Sequence, residues 1–433
     1  MTRPRVLLLA ELANPEWVSV PLVGWSLARA LAEVADVHLV TQVRNRDAIL
    51  RAGLTEGRDF SIIDSEALAR PLWRLGSLLR GGEGKGWTML QAVSTVAYPY
   101  FEHLAWRRFG ASIRAHEWDV VHRVTPLSPT IPSPIASRLK RAGVPFVLGP
   151  LNGGIPWPQG FGAERRAERE WLSYVRGAAR LLPGRRATFG DAAAIIAGSR
   201  HTASEVPMRD RHKVVYVPEN AVDPQRFAPR PARAPGGLRA VCVGRLVPYK
   251  GADMALAAAA PLLREGRMTF DVVGDGPAMA ALRAQSAREG VDGATRFHGW
   301  LPQERAAEVM GGANLLLFPS IREFGGAVVM EAMAMGLCPL VVDYGGPGEY
   351  VRDGVGYKVP LGSREEIVAA LHARLQQLAR APDQAAEAGA RAREVVLSDY
   401  TWSAKARQVA AVYAWVLAGA PPPAPSFFAS GDW

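Results

Sequence analysis

PSIREFGGAVVMEAMAMGLCPLVVDYGGPGE, residues 319–349, decides the architecture of this chain. The run before it, Asn314–Phe318 (NLLLF), reads as a buried strand that stops at Pro319. A polar loop and the pair Gly325-Gly326 follow, then a helix from about Ala327 through Met335. Pro339–Val342 is the next apolar run. Strand, loop, helix and strand in that order make a unit of a parallel sheet covered on both faces. Gly326 at the helix start exposes backbone N–H groups, which attract phosphate or sugar oxygens. Glu323 stands just before the helix and Glu331 follows in E-x7-E spacing, about two turns beyond. Val328, Val329, Met330, Ala332 and Met333 surround Glu331, and a carboxylate in that setting needs partners. The pair can touch one ligand at two points.

Outward from this block the same alternation runs through the chain. Candidate strands are Arg5–Ala10, Val37–Val40, Asp119–His122, Pro145–Leu148, Ala193–Gly198 and Val214–Val217. A second series is Arg239–Val243, Thr269–Val273, Asn314–Phe318 and Pro339–Val342. Apolar runs with helical stretches between them predict an α/β protein with two parallel sheets. DPQRFAPRPARAPGGL (223–238) has no apolar period and reads as a linker. The expected domains are residues 1–222 and 238–400, two Rossmann-like halves with a cleft between them. Trp402, Val409, Val412 and Trp415 predict a helix over 401–420, and 421–433 is a Pro-rich tail.

Composition narrows the function. The chain has 433 residues, 48% of them hydrophobic, enough for a large core. Lys and Arg total 51 against 41 Asp and Glu, a net charge of +10. Six of the 51 are Lys, at 85, 140, 213, 250, 358 and 405, so the basicity is mostly Arg. Arg suits phosphate and carboxylate, and the charge points to an anionic substrate, an anionic membrane or nucleic acid. Cys242 and Cys338 sit in apolar runs and read as buried thiols, which fits a reducing compartment. The apolar run before Glu11 is shorter than a signal h-region, and 409–420 is too short to span a bilayer. The expected location is cytoplasmic, soluble or peripheral.

Three further loops carry chemistry. In VCVGRLVPYKGADMAL (241–256) a strand ends at Gly244, and Arg245 and Lys250 flank the loop that follows. Two cations at a strand's carboxyl end suit a diphosphate, Arg as a bidentate fork and Lys as a mobile point charge; a surface loop with ordinary charges is the equal alternative. In TFDVVGDGPAMAALRAQ (269–285), Gly274-Asp275-Gly276 starts like a dinucleotide fingerprint, but Met279 stands where a third Gly belongs. A tight turn near a nucleotide fits better. RFHGWLP (296–302) ends another short strand, where the backbone at Gly299 and Trp300 meets a base or Trp300 packs as an ordinary aromatic.

Taken together, GRLVPYKG, VVGDGP, FHGWLP, the E-x7-E block and YGGPGE resemble the retaining glycosyltransferases of family 4, which have the GT-B fold. The resemblance covers roughly 238–420 strongly. It implies that Arg245 and Lys250 bind the donor diphosphate and that Glu331 binds the nucleotide ribose. It implies that Glu323 contacts the donor sugar, helped by backbone groups of Phe324, Gly325 and Gly326. The donor list is completed by Gly244, Gly274, Gly299 and Trp300, and the helix at 401–420 would cross back to the N-terminal half. Neither a cofactor nor a metal is expected, since no D-x-D occurs in the chain.

The N-terminal half departs from that pattern. The loop ELANPEWVSVPLVGW (11–25) lacks the Gly pair of many relatives, and Asn14 to Val18, with Trp17, are expected to shape an acceptor pocket. His122 at a strand end matches a cleft-facing His of the family and is assigned a catalytic role; a structural His is the close alternative. GPLNGG (149–154) is expected to present amides of Asn152, Gly153 and Gly154 to substrate, with a plain turn about equal. PENAVD (218–223) leaves Glu219 and Asn220 as uncertain contacts. Basic, partly apolar stretches at 68–82, 97–110 and 164–186 suggest an anionic membrane surface and a lipid or lipid-linked acceptor, against the alternative that these helices pack on their own sheet. Other classes stay open: a phosphorylase or sugar-nucleotide epimerase of similar architecture, a nucleotide-dependent oxidoreductase, and a nucleic-acid binder without a recognisable motif.

Overall fold

A computed structural model describes residues 3–67, 87–162, 165, 184–228 and 237–419. The chain divides into two compact units. The first is Met1–Gly154, Arg165–Glu219 and Trp402–Trp433; the second is Ile155–Glu164 and Asn220–Thr401. Both are Rossmann-like parallel sheets with helices packed on them.

The first unit contains β1 (Arg5–Ala10), β2 (Asp36–Gln42), β3 (Phe60–Ile63), β4 (Val120–Thr125), β5 (Phe146–Leu151), β6 (Ala194–Ala197) and β7 (Val214–Tyr216). Their order in the sheet is β3-β2-β1-β4-β5-β6-β7. Strand β1 shows why its residues are apolar throughout. Val6, Leu8 and Ala10 enter the core on one face, and Leu7 and Leu9 enter the core on the other. Each such Val or Leu contributes about 1.5–3 kcal/mol by leaving water. The core on the first face also takes Ala406, Val409, Val412 and Tyr413 from the helix Trp402–Ala418. That helix is the last described part of the chain, yet it completes the first unit.

The second unit contains β8 (Leu238–Val243), β9 (Met268–Val273), β10 (Thr295–Gly299), β11 (Leu315–Phe318), β12 (Cys338–Val342) and β13 (Tyr357–Val359), in the order β10-β9-β8-β11-β12-β13. Cys242 and Cys338 are buried, unpaired thiols, and burial pushes each up to about 12. A segment from within the expected N-terminal half, Ile155–Glu164, belongs to this unit, and Phe161 lies in its core.

The edge strands β3 and β13 fall outside the expected series. The basic stretch 68–82 and nearly all of 164–186 lie outside the described residues, as do residues 229–236 of the 223–238 linker and the tail 421–433. Among the described residues no helix is long and apolar enough to cross a membrane.

Candidate functional site

In the second unit β8 lies between β9 and β11. The chain leaves β8 toward one edge of the sheet and later enters β11 on the other side. Loops at the carboxyl ends of two such strands diverge and open a crevice. That topology brings together residues far apart in sequence. The loop after β8 carries Gly244, Arg245 and Lys250, and the loop after β11 carries Glu323 to Gly326. The two are knitted by backbone: Ile321 donates its N–H to the Tyr249 carbonyl at 3.0 Å, and the Ser320 hydroxyl donates to the same oxygen at 3.3 Å. Gly251 has φ +72, and a Cβ there would lie 2.4 Å from the Pro319 carbonyl oxygen. Only a glycine allows that approach.

Lys250 reaches across this seam. Its ammonium pairs with the Glu323 carboxylate through Oε2. The other carboxylate oxygen, Oε1, accepts the Gly326 N–H at 3.3 Å. Gly326 is the N-cap of the helix Ala327–Ala334, in the left-handed region at φ 46. One carboxylate thus bridges a cation and a helix N-terminus, both of them places where negative charge is stabilised. Burial pulls the Lys250 ammonium down to about 8, and the nearby positive charge of Arg245 acts in the same direction. Arg245 is exposed and has no carboxylate partner among the described residues. Two cations close enough to disfavour one another need an anion more than either does alone.

Glu331 sits little more than one turn into the helix Ala327–Ala334, nearer the mouth than its spacing from Glu323 suggested. Burial raises its carboxyl to about 7. Gln303 donates an N–H to its Oε1 at 3.2 Å, and the charge of Arg226 opposes the rise. The expected need for partners is met by one neutral donor and the charge of Arg226, so the group is poised to exchange a proton near neutrality.

The glycines at the ends of β8, β9 and β10 act through packing. Gly274 donates its N–H to the Gly299 carbonyl at 2.8 Å, and a Cβ on Gly274 would lie 1.9 Å from the Gly244 oxygen. A Cβ on Gly276 would meet the Leu246 oxygen at 2.4 Å. The Gly274-Asp275-Gly276 turn therefore seats the loop of Arg245 rather than cradling a dinucleotide. Trp300 is 73% exposed, so it is not a packed aromatic.

Several supporting residues were not visible beforehand. Tyr344 donates its hydroxyl to the Pro156 carbonyl at 2.9 Å, and Arg322 donates to the Ile155 carbonyl at 3.3 Å. The Arg322 guanidinium also lies 4.8 Å from the Trp157 ring centroid, and Trp157 meets Tyr249 edge-on at 5.8 Å. Ile155–Trp157 thus braces the loops that hold Lys250 and Glu323. Gly346 donates its N–H to the Glu323 carbonyl at 3.0 Å, which gives the YGGPGE motif its role in holding that residue.

The acceptor-side expectations in the first unit meet a different outcome. His122 is fully buried, with Nδ1 2.6 Å from the Tyr413 hydroxyl and Nε2 2.6 Å from the Gly149 carbonyl. The carbonyl can only accept, which assigns the proton to Nε2 and makes Tyr413 the donor to Nδ1. Burial lowers the imidazole to about 4, so the ring is neutral. His122 is a structural link, which corrects its assignment as a catalytic, cleft-facing residue. Asn14 is buried too; its side chain accepts the Glu16 N–H at 2.9 Å and donates to Asn45 at 3.3 Å. Gly153 gives its N–H to Thr202 and Gly154 gives its own to Asn152, whose amide donates to Glu219. The GPLNGG loop keeps its amides for itself, correcting the expectation that it offers them to substrate. Trp17 and Val18 face outward, at 42% and 82% exposure.

Residues 226–395 match the model of the family described as glycosyl transferases group 1. The chain is 37% identical over 136 residues to the 2-deoxystreptamine glucosyltransferase of Streptomyces kanamyceticus, covering 29% of this chain and 35% of that protein. It is 32% identical over 235 residues to a D-inositol 3-phosphate glycosyltransferase of Streptomyces griseus, covering 47% and 49%. The chain thus spans between about a third and a half of these curated relatives' length. In fold it is similar to HepE of Anabaena, solved in complex with UDP, with a TM-score of 0.58 and 14% identity over 94% of this chain and 98% of that one.

Proposed function

We propose, from a group 1 glycosyltransferase region at residues 226–395, that this chain is a retaining, metal-independent hexosyltransferase. It moves a sugar from a nucleotide-diphosphate donor to an acceptor hydroxyl, without a further cofactor. The observation that carries this reading is the meeting of Lys250 and the helix N-terminus at Gly326 on the Glu323 carboxylate, with the charge of Arg245 near Lys250.

The chemical task is to break the bond between the anomeric carbon and the diphosphate oxygen. Negative charge builds on the leaving group as positive charge builds on the sugar. Cations and dipoles already in place lower the barrier without reorganising. On this reading the diphosphate takes Lys250 from Glu323, with Arg245 as its second clamp. Glu323 is then released to the hydroxyls of the donor sugar, beside the amides of Phe324 to Gly326. Glu331 holds the ribose. The acceptor oxygen bonds the anomeric carbon on the face the diphosphate leaves, and its proton passes to a leaving phosphate oxygen. Configuration is kept and no covalent enzyme intermediate is needed.

The acceptor is a lipid or a lipid-linked glycan at the cytoplasmic face of a membrane, where the protein works as a peripheral enzyme. The excess of Arg and the exposed Arg107 and Arg108 support this part of the reading, while Tyr98 and Phe101 of the same helix are buried in the unit's own core. A thermal-shift screen against UDP-, GDP-, ADP- and dTDP-sugars tests the donor half. One nucleotide class should raise the melting temperature well above the others, since a ligand bound only to the folded state stabilises it by mass action. Equal response of wild type, Lys250→Ala, Arg245→Ala and Glu331→Ala to every donor would mean the donor site is misassigned.

A further inference from the structure

The first unit carries a second concentration of positive charge, one with no carboxylate partner among the described residues; Arg141 donates from Nε to the Ser137 carbonyl at 3.2 Å. This charge lies between the helix Trp87–Arg114 and the helix Ile135–Ala142. Glu102 fixes their register. Its buried carboxylate accepts the Ile135 N–H at 3.0 Å and the Ser133 hydroxyl at 2.6 Å, so it caps the start of the second helix. One turn further along each helix, Trp106 comes beside Arg138.

The helix Ile135–Ala142 sorts its side chains onto three faces. Ile135, Ala136 and Leu139 are buried. Ser137 and Lys140 both bind the Asp191 carboxylate, at 2.5 and 2.9 Å. Arg138 and Arg141 share the remaining face, where no carboxylate meets them among the described residues. On the other helix Trp106, Gly110 and Arg114 follow at one-turn intervals. Gly110 seats the indole: a Cβ there would stand 3.0 Å from Trp106 Cε2. The guanidinium carbons of Arg114 and Arg138 lie 5.6 and 5.5 Å from the same ring centroid. Trp106, Arg114, Arg138, Arg141 and Ala142 line a pocket of about 540 Å³.

Two guanidiniums on one indole, with a third beside them, repel one another. The ring's π face offsets part of that cost. A carboxylate would offset the rest, yet the carboxylate at hand, Asp191, is spent on Ser137 and Lys140. What three planar forks around a flat apolar floor fit is an anion with several oxygens. We propose that this pocket binds a phosphoryl group, either of a soluble phosphorylated compound or of a lipid headgroup. The site is separate from the loops of Lys250 and Glu323 and does not depend on the donor reading.

Calorimetric titration with pyrophosphate at low salt, paired with flotation on vesicles of phosphatidylglycerol and phosphatidylcholine in equal parts, tests it. Wild type should take up two pyrophosphates per chain. Arg138→Gln/Arg141→Gln should weaken one of them about tenfold or more and leave the other unchanged. Arg245→Gln should do the reverse, so the two sites fail or stand separately. Loss of vesicle binding in the double variant identifies a headgroup; loss of pyrophosphate alone identifies a soluble compound. Arg138→Lys/Arg141→Lys should recover part of either. Should the glutamine pair unfold the protein, Arg114→Gln on the other helix gives the same reading. Wild-type behaviour of the glutamine variants in both arms overturns the proposal.

Discussion

Each unit has one place where its sheet reverses direction, between β1 and β4 in the first and between β8 and β11 in the second. The same topology is used in opposite ways. In the first unit the crossing is closed by its own side chains. Thr125 accepts the Leu12 N–H and donates its hydroxyl to the Leu12 carbonyl, at 3.0 and 3.1 Å. Asn45 donates to the Glu11 carbonyl and to Thr41. In the second unit Arg245 has no carboxylate partner among the described residues, and Lys250 and Glu331 are held in surroundings that disfavour their charge. Polar groups at a strand end are candidates for binding where a ligand can take them over, as at Lys250, and not where they close the fold on itself, as at Thr125 and Asn45.

The sharpest break of this comparison is Lys250→Ala with Arg245→Ala. Each lost charge-assisted contact is worth about 1.5–3 kcal/mol, so each substitution should weaken donor binding about 10- to 150-fold by calorimetry. Donor affinity that survives both would erase the difference between the two crossings. Next in size is Tyr413→Phe, which strands the His122 Nδ1 in a buried site. Denaturant unfolding should show a loss of about 1–3 kcal/mol. Donor affinity should stay as in wild type; a drop there would restore His122 to the active machinery.

A smaller effect is expected from pH. Lys250 must be charged to hold a diphosphate, so donor affinity should fall as pH rises through about 8. Glu331 must be ionised to accept from ribose hydroxyls, so affinity should fall as pH drops through about 7. Each limb approaches, and does not exceed, about tenfold per pH unit. Glu331→Gln should flatten the acid limb and Lys250→Arg the alkaline one. Smallest is Glu219→Gln. Burial raises the Glu219 carboxyl to about 8, opposed by its bond from Asn152 and by the charge of Lys405. A raised folded value gives stability that is complete below the unfolded value near 4.5 and lost as pH climbs through about 8. The amide keeps a partner for Asn152 and has no charge to gain, so the thermal midpoint of the variant should depend less on pH across that window.

The fold was legible where its physics is local. β1 was read to the residue, because a strand buried on both faces has no polar interruption. β3 and β13 were missed because four- and three-residue edge strands give no such run. The loops after β8, β9 and β11 were legible because glycine spacing and E-x7-E are short-range patterns. The fate of His122 was not, since Tyr413 lies 291 residues away in the chain. Nor was the transfer of Ile155–Trp157 to the second unit, because its partners Arg322 and Tyr344 lie 167 and 188 residues away. One chain read alone carries no information on which distant residues meet.

The helix Trp402–Ala418 has a consequence for how the molecule is made. The first unit cannot close its core on synthesis of Glu219, because Val409, Val412 and Tyr413 have yet to leave the ribosome. At ordinary elongation rates of about 5–20 residues per second, that gap lasts about 10 to 40 s. Throughout it, an apolar surface on the nascent sheet waits uncovered while an entire second domain folds beside it. A fragment ending at Glu219 should inherit that condition permanently and call on chaperones, and a peptide of residues 402–418 supplied in trans should relieve it.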